Sequence, residues 1–206
     1  LTAAGTFSIA DTARLLKLRG QSMQKAVPVG VGSMAAILGL EFEDVINIAK
    51  EAAGDDVCQG ANDNSVGQVV VSGSKAAVER AVALATEKGA KRAVILPVSA
   101  PFHCALMQPA ADAMAEALAE TTMNAPVVPV VSNVTAKAET DPDTIRNLLV
   151  DQVTGMVRWR ESVIWMKDQG ITEMVELGAG KVLSGLVRRI DKEISVTSVG
   201  TPEQID

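Results

Sequence analysis

A chain of 206 residues, 48% of them hydrophobic, is long enough to bury a substantial core as one large domain or two small ones. A net charge of −6 argues against general binding to nucleic acid or to membrane surfaces, and 2% aromatic content leaves few platforms on which bases could stack. No apolar run reaches membrane-spanning length, and Cys58 and Cys104 belong to no CxxC pattern, so a cytoplasmic protein without metal or redox centre is expected. The first residue is Leu1 rather than Met, which points to a processed, cut or partial product.

From Ile9 to Ala26 the pattern is helical. At about 100° per residue Leu15, Leu16, Met23 and Ala26 share one face, opposite Arg14, Lys17, Gln21, Gln24 and Lys25. Arg19 falls inside the apolar arc, where an unpaired guanidinium is costly. It requires either a buried carboxylate of the protein or an anionic group on a ligand. Pro28-Val-Gly-Val-Gly-Ser33 ends this helix. A strand at Met34–Leu38, a helix at Glu41–Ala53 and a strand near Val57–Ala61 follow. The turn Asn62–Gly67, a strand at Gln68–Ser72, a helix at Lys75–Lys88 and a strand at Lys91–Pro97 complete a βαββαβ order, the ferredoxin-like arrangement.

His103, the only histidine, lies in Pro97-Val-Ser-Ala-Pro-Phe-His-Cys-Ala-Leu-Met107, where an apolar strand runs into a helix. It is read either as a residue packing at a helix start or as a general base, kept neutral there by the helix dipole. The helix runs toward Glu120 with Leu106, Ala110, Met114 and Leu118 along one side. Val127–Val131 reads as a buried parallel strand. Helices at Pro142–Val150 and Trp159–Gln169, a strand at Met174–Leu177 and a last helix to about Arg189 complete the pattern. Strands alternating with helices on both sides of the βαββαβ run point to an α/β sheet.

Some motifs mislead. Gly30-Val-Gly32 follows a helix and precedes a strand, the reverse of a dinucleotide loop. Gly178-Ala-Gly-Lys181 has the right order, strand then helix, but not the P-loop spacing, and reads as a tight turn. Cys104, beside His103, reads as a buried inert thiol rather than half of a catalytic pair. Gly-x-Ser-x-Gly, the nucleophile elbow, is absent.

Several stretches together carry a resemblance: Leu18-Arg-Gly-Gln-Ser-Met23, Gly32-Ser-Met-Ala-Ala-Ile-Leu-Gly39, Asn64-Ser-Val-Gly-Gln-Val-Val-Val-Ser-Gly73, Leu96–Met107, Pro129-Val-Val-Ser-Asn133, Gln152–Trp159 and Glu176–Leu186. The chain resembles the C-terminal two-thirds of bacterial malonyl-CoA:acyl-carrier-protein transacylases. The resemblance implies part of an α/β-hydrolase-like acyltransferase domain (residues 1–31 and 98–206) interrupted by a ferredoxin-like subdomain (32–97). It implies that His103 is the catalytic base, that the backbone carbonyl of Gln152 orients it, and that Arg19 binds the malonyl carboxylate. Phe102 would restrict the acyl group, and Asn64 would lie in the segment lining the cleft. Val66, Met156 and Ala179 depart from the family pattern in loops.

The resemblance further implies malonyl transfer from coenzyme A to the phosphopantetheine thiol of an acyl carrier protein in fatty-acid biosynthesis. No resident cofactor is implied, and no nucleic-acid or membrane partner. Lys88, Lys91, Arg92, Arg188 and Arg189 are candidates for holding an acidic carrier, although solvated faces explain such charges equally well. The serine elbow and part of the oxyanion hole would belong to an N-terminal segment upstream of Leu1. The chain alone is therefore expected to be inactive. The other readings are a noncatalytic acyl- or CoA-binding protein and a domain excised from a multidomain synthase.

Overall fold

The computed structural model describes residues 1–204. Its first helix, α1 (Ile9–Ala26), starts where the Ser8 hydroxyl accepts from the Asp11 amide at 3.0 Å. A four-stranded sheet follows, built from β1 (Gly32–Leu38), β2 (Cys58–Ser65), β3 (Gln68–Ser74) and β4 (Arg92–Ile95), with α2 (Phe42–Ala53) and α3 (Lys75–Glu87) between them. The order across the sheet is β2-β3-β1-β4 and every neighbouring pair is antiparallel. Strand alternation sends Ala35, Ile37, Val69 and Val71 to one face, where they pack with Val45, Ile48 and Val78 of the two helices. Met34, Ala61 and Val70 form the other face, against Leu96 and Phe102.

The remaining elements are α4 (Gln108–Ala119), β5 (Val130–Ser132), β6 (Lys137–Glu139), α5 (Pro142–Thr154), α6 (Trp159–Asp168), β7 (Glu173–Leu177), α7 (Val182–Ile190) and β8 (Ser195–Val199). A second core gathers Phe7, Met23, Met107, Met114, Leu118 and Val153 from α1, α4, α5 and their connections. A third joins Val163, Val187 and Ile194 beneath β7 and β8. Among the described residues no helix is long and apolar enough to cross a membrane.

Several expectations are corrected. Only Val130 and Val131 of the Val127–Val131 run enter a strand, β5, which forms an antiparallel hairpin with β6 rather than a buried parallel strand. Pro129 has no N–H to give a ladder, so pairing begins after it and Val127 stays 81% exposed. β2 runs on through most of the expected Asn62–Gly67 turn, leaving Val66-Gly67 to reverse the chain with Gly67 at φ 67°. Leu16 is exposed, and Leu15, Leu18 and Met23 make the packed face of α1 instead. β6 and β8 were not anticipated. No continuous α/β sheet forms among the described residues, since β7 and β8 pair in parallel only with each other.

Candidate active site

His103 sits on a strap between β4 and α4 that crosses the open face of the small sheet. The strap leaves β4 with the Leu96 amide bonded to the Met34 carbonyl at 2.9 Å, and the Pro101 ring then passes over Gly32. A Cβ on Gly32 would come within 2.3 Å of that ring, so the glycine of the rejected dinucleotide motif is there for close packing. The helix expected at His103 begins later, as a 3-10 turn at Ala105–Met107 leading into α4. His103 itself has φ 57°, a left-handed conformation unusual for a residue with a Cβ.

The fold also sets the protonation of His103. Its Nδ1 lies 2.8 Å from the Gln152 carbonyl near the end of α5. A carbonyl only accepts, so Nδ1 carries the hydrogen and Nε2 of the neutral ring keeps its lone pair. Burial pushes the imidazole pKa below its ordinary value, the Gln152 bond opposes this, and the positive charge of Arg19 lowers it further. The ring is therefore neutral near pH 7, through desolvation rather than through a helix dipole. The Gln152 side chain bonds the Gly155 carbonyl at 2.9 Å, closing the turn that presents its own carbonyl.

Arg19 is half-buried, and burial is what depresses its pKa. Among the described residues no carboxylate forms a salt bridge with it. It lines a cleft of about 410 Å³ together with Met23, Met34, Asn62, Phe102 and His103. The structure thus unites Arg19, Phe102 and His103, with Gln152 behind the imidazole. Asn64 is not in this lining. The β2–β3 register skips it between Asp63 and Ser65, and Asn62 faces the cleft instead. Nothing in Asn62-Asp-Asn64 distinguishes the two asparagines before the bulge is seen. Phe102 packs against both the sheet's open face and the helical core, so it braces the two as well as facing the cleft.

The opposite side of His103 opens on a larger cavity of about 710 Å³, bounded by Phe42, Ile46, Gln59, Met156 and Ala105. Cys58 and Cys104 are unpaired and buried. Burial raises both thiols, Cys58 to about 11, and Cys104 donates to the Pro101 carbonyl at 3.2 Å, as suits inert groups. The first turn of α7, just after the glycine turn, holds a carboxylate of the protein itself. Glu176 accepts from the amides of Leu183 and Ser184 at 3.0 and 2.9 Å.

A neutral imidazole oriented by a carbonyl and able to act as a general base thus shares one cleft with Arg19. The chain belongs to the acyl transferase domain family, whose model matches residues 1–201. It is 50% identical to the malonyl CoA-acyl carrier protein transacylase of Escherichia coli K12 over 98% of its own length and 65% of that protein's. The Staphylococcus aureus COL protein of the same name is 40% identical, with 67% of its length covered. The acyl-carrier-protein-S-malonyltransferase of Bartonella henselae, at 57% identity, superposes with a TM-score of 0.96 over this whole chain and 65% of that one. A malonyl-transacylase solved with a type II PKS acyl-carrier protein gives 0.96 at 43% identity, over 99% of this chain and 66% of the other. The chain thus spans just under two thirds of the length of the first of these relatives.

Proposed function

We propose that the protein moves malonyl groups from coenzyme A to the phosphopantetheine thiol of an acyl carrier protein, for fatty-acid biosynthesis in the cytoplasm. The observation that carries this reading is Arg19, half-buried without a carboxylate of its own in the cleft that His103 enters. The family match and the names of the relatives support it. In this reading residues 32–97 are a ferredoxin-like insert, consistent with their βαββαβ order. Residues 1–31 and 98–206 are part of an α/β-hydrolase-like acyltransferase domain; positions 205 and 206 lie outside the described residues.

The nucleophile is a serine on a segment outside this chain, which holds no Gly-x-Ser-x-Gly elbow. The serine oxygen attacks the thioester carbon while Nε2 of His103 takes its proton. The Gln152 carbonyl steadies the imidazolium through Nδ1–H, and Nε2 passes the serine proton to the departing coenzyme A thiolate. In the second half-reaction Nε2 takes the proton of the incoming thiol, which attacks the acyl-enzyme. The serine recovers its proton from the imidazolium. Arg19 forks onto the free carboxylate and selects malonyl over acetyl. Phe102 restricts the space beside the acyl α-carbon.

The test is to assay purified 1–206 for malonyl transfer to acyl carrier protein, with and without an N-terminal fragment carrying the elbow. Transfer only with the fragment, abolished by His103→Ala, is the expected result. Turnover by 1–206 alone would place the nucleophile within this chain. Tight binding of malonyl-CoA with no turnover in either mixture would favour a noncatalytic binding protein.

A further inference from the structure

We propose that Gln59, on the outer edge of β2, is a positioning residue that holds the His103 strap in its catalytic conformation. The inference rests on His103 being the base. A left-handed residue with a Cβ persists only where its flanks are fixed. Within the strap the Phe102 amide donates to the Ala100 carbonyl at 3.1 Å, and the Cys104 thiol reaches back past His103 to the Pro101 carbonyl at 3.2 Å. Beyond Cys104 a further hold comes from outside the strap. The Ala105 amide donates to Oε1 of Gln59 at 2.8 Å, 46 residues away in sequence.

Ala105 opens the 3-10 turn, where an amide has no partner within the turn itself, so Gln59 meets a need that local backbone cannot. Gln59 is itself anchored, because it pairs with Ser72 across the β2–β3 ladder. The same strand holds the other partner of the imidazole. The Val157 amide donates to the Ala61 carbonyl at 2.8 Å, and the Asp63 amide donates to the Val157 carbonyl at 2.9 Å. That bridge fixes the chain just beyond the Gln152–Gly155 turn. β2 therefore grips the histidine side through Gln59 and the carbonyl side through Val157, keeping the two in register.

The single histidine makes the test clean, since the imidazole gives one set of nuclear magnetic resonance signals. Gln59→Met keeps the length and loses the acceptor; Gln59→Glu keeps an acceptor oxygen. Gln59 is exposed, so both variants should fold, as their backbone amide spectra will show. The expected result is that Gln59→Met speeds exchange of the Nδ1 proton with water at least tenfold, while Gln59→Glu preserves its protection. With the N-terminal fragment supplied, Gln59→Met should lose about tenfold in kcat with KM within twofold. A protected Nδ1 proton in Gln59→Met, or equal loss in both variants, would overturn the proposal. The proton signal is read without turnover. A protein that transfers no malonyl would defeat the functional reading and leave this result standing.

Discussion

In the proposed reaction Arg19 and His103 have different tasks, and each makes a separable prediction. With the nucleophile supplied, Arg19→Ala should reduce malonyl transfer several hundredfold and acetyl transfer only a few-fold, as expected for about 3–5 kcal/mol lost from a desolvated charge pair. Equal losses with both thioesters would make Arg19 structural. Phe102→Ser should widen acceptance of methylmalonyl, since one methyl is worth roughly 1–3 kcal/mol of discrimination. Phe102 also braces two cores. The ratio of methylmalonyl to malonyl transfer is the readout, because it does not depend on how much of the variant folds. For His103 burial lowers the pKa below 6.5, with Arg19 the charged group acting on it. The rate should rise with pH through a midpoint below 6.5 and be flat at neutrality. The unfolded chain takes up the proton more readily, so this group's contribution to stability is present above pH 6.5 and falls away through the lowered midpoint. A kinetic midpoint above 6.5 would contradict the desolvated imidazole.

Between the small sheet and the rest of the molecule lies an ion pair whose carboxylate is fully buried. Asp63 is 0% exposed, and Arg160 at the start of α6 donates through Nε to both its oxygens at 3.0 and 2.9 Å while lying over the Phe42 ring. Burial raises the Asp63 pKa even against the pull of Arg160, so desolvating the carboxylate offsets part of what the pair returns. Arg160→Met alone should therefore destabilise by about 2–3 kcal/mol, seen as a fall in Tm of roughly 4–12 °C. The double variant Asp63→Leu with Arg160→Met should recover most of that loss. A double variant as unstable as the sum of the singles would show that the two residues act independently. Asp63–Arg160 also marks what was legible beforehand. α1, α2, α3 and the strands of the small sheet were readable because local periodicity sets them. The bulge that substitutes Asn62 for Asn64, and the left-handed turn at His103, come from contacts between distant segments that no local pattern encodes. Arg19 and His103 stood out early because a charge on an apolar face and a sole histidine are local oddities.

At the scale of the whole molecule, several large apolar side chains are exposed. Leu177 is 76% exposed on β7, and Val127, Val128, Val175 and Val182 are exposed as well. β7 and β8 each have an unpaired outer edge. Open edges with exposed valine and leucine invite pairing between copies. Purified 1–206 should accordingly self-associate as its concentration rises, and light scattering should fall when the N-terminal fragment is added. A monodisperse monomer at high concentration would mean that these faces need no cover.

The hydrogen bond that orients His103 joins residues 49 positions apart, and Asp63 meets Arg160 across 97. On the ribosome this spacing becomes time. At about 5–20 residues per second the imidazole is made roughly 2–10 s before the carbonyl that aligns it. A nascent chain thus carries the imidazole unaligned until Gln152 has been made. If His103 is the proposed base, a half-made protein has none poised to spend thioesters on water.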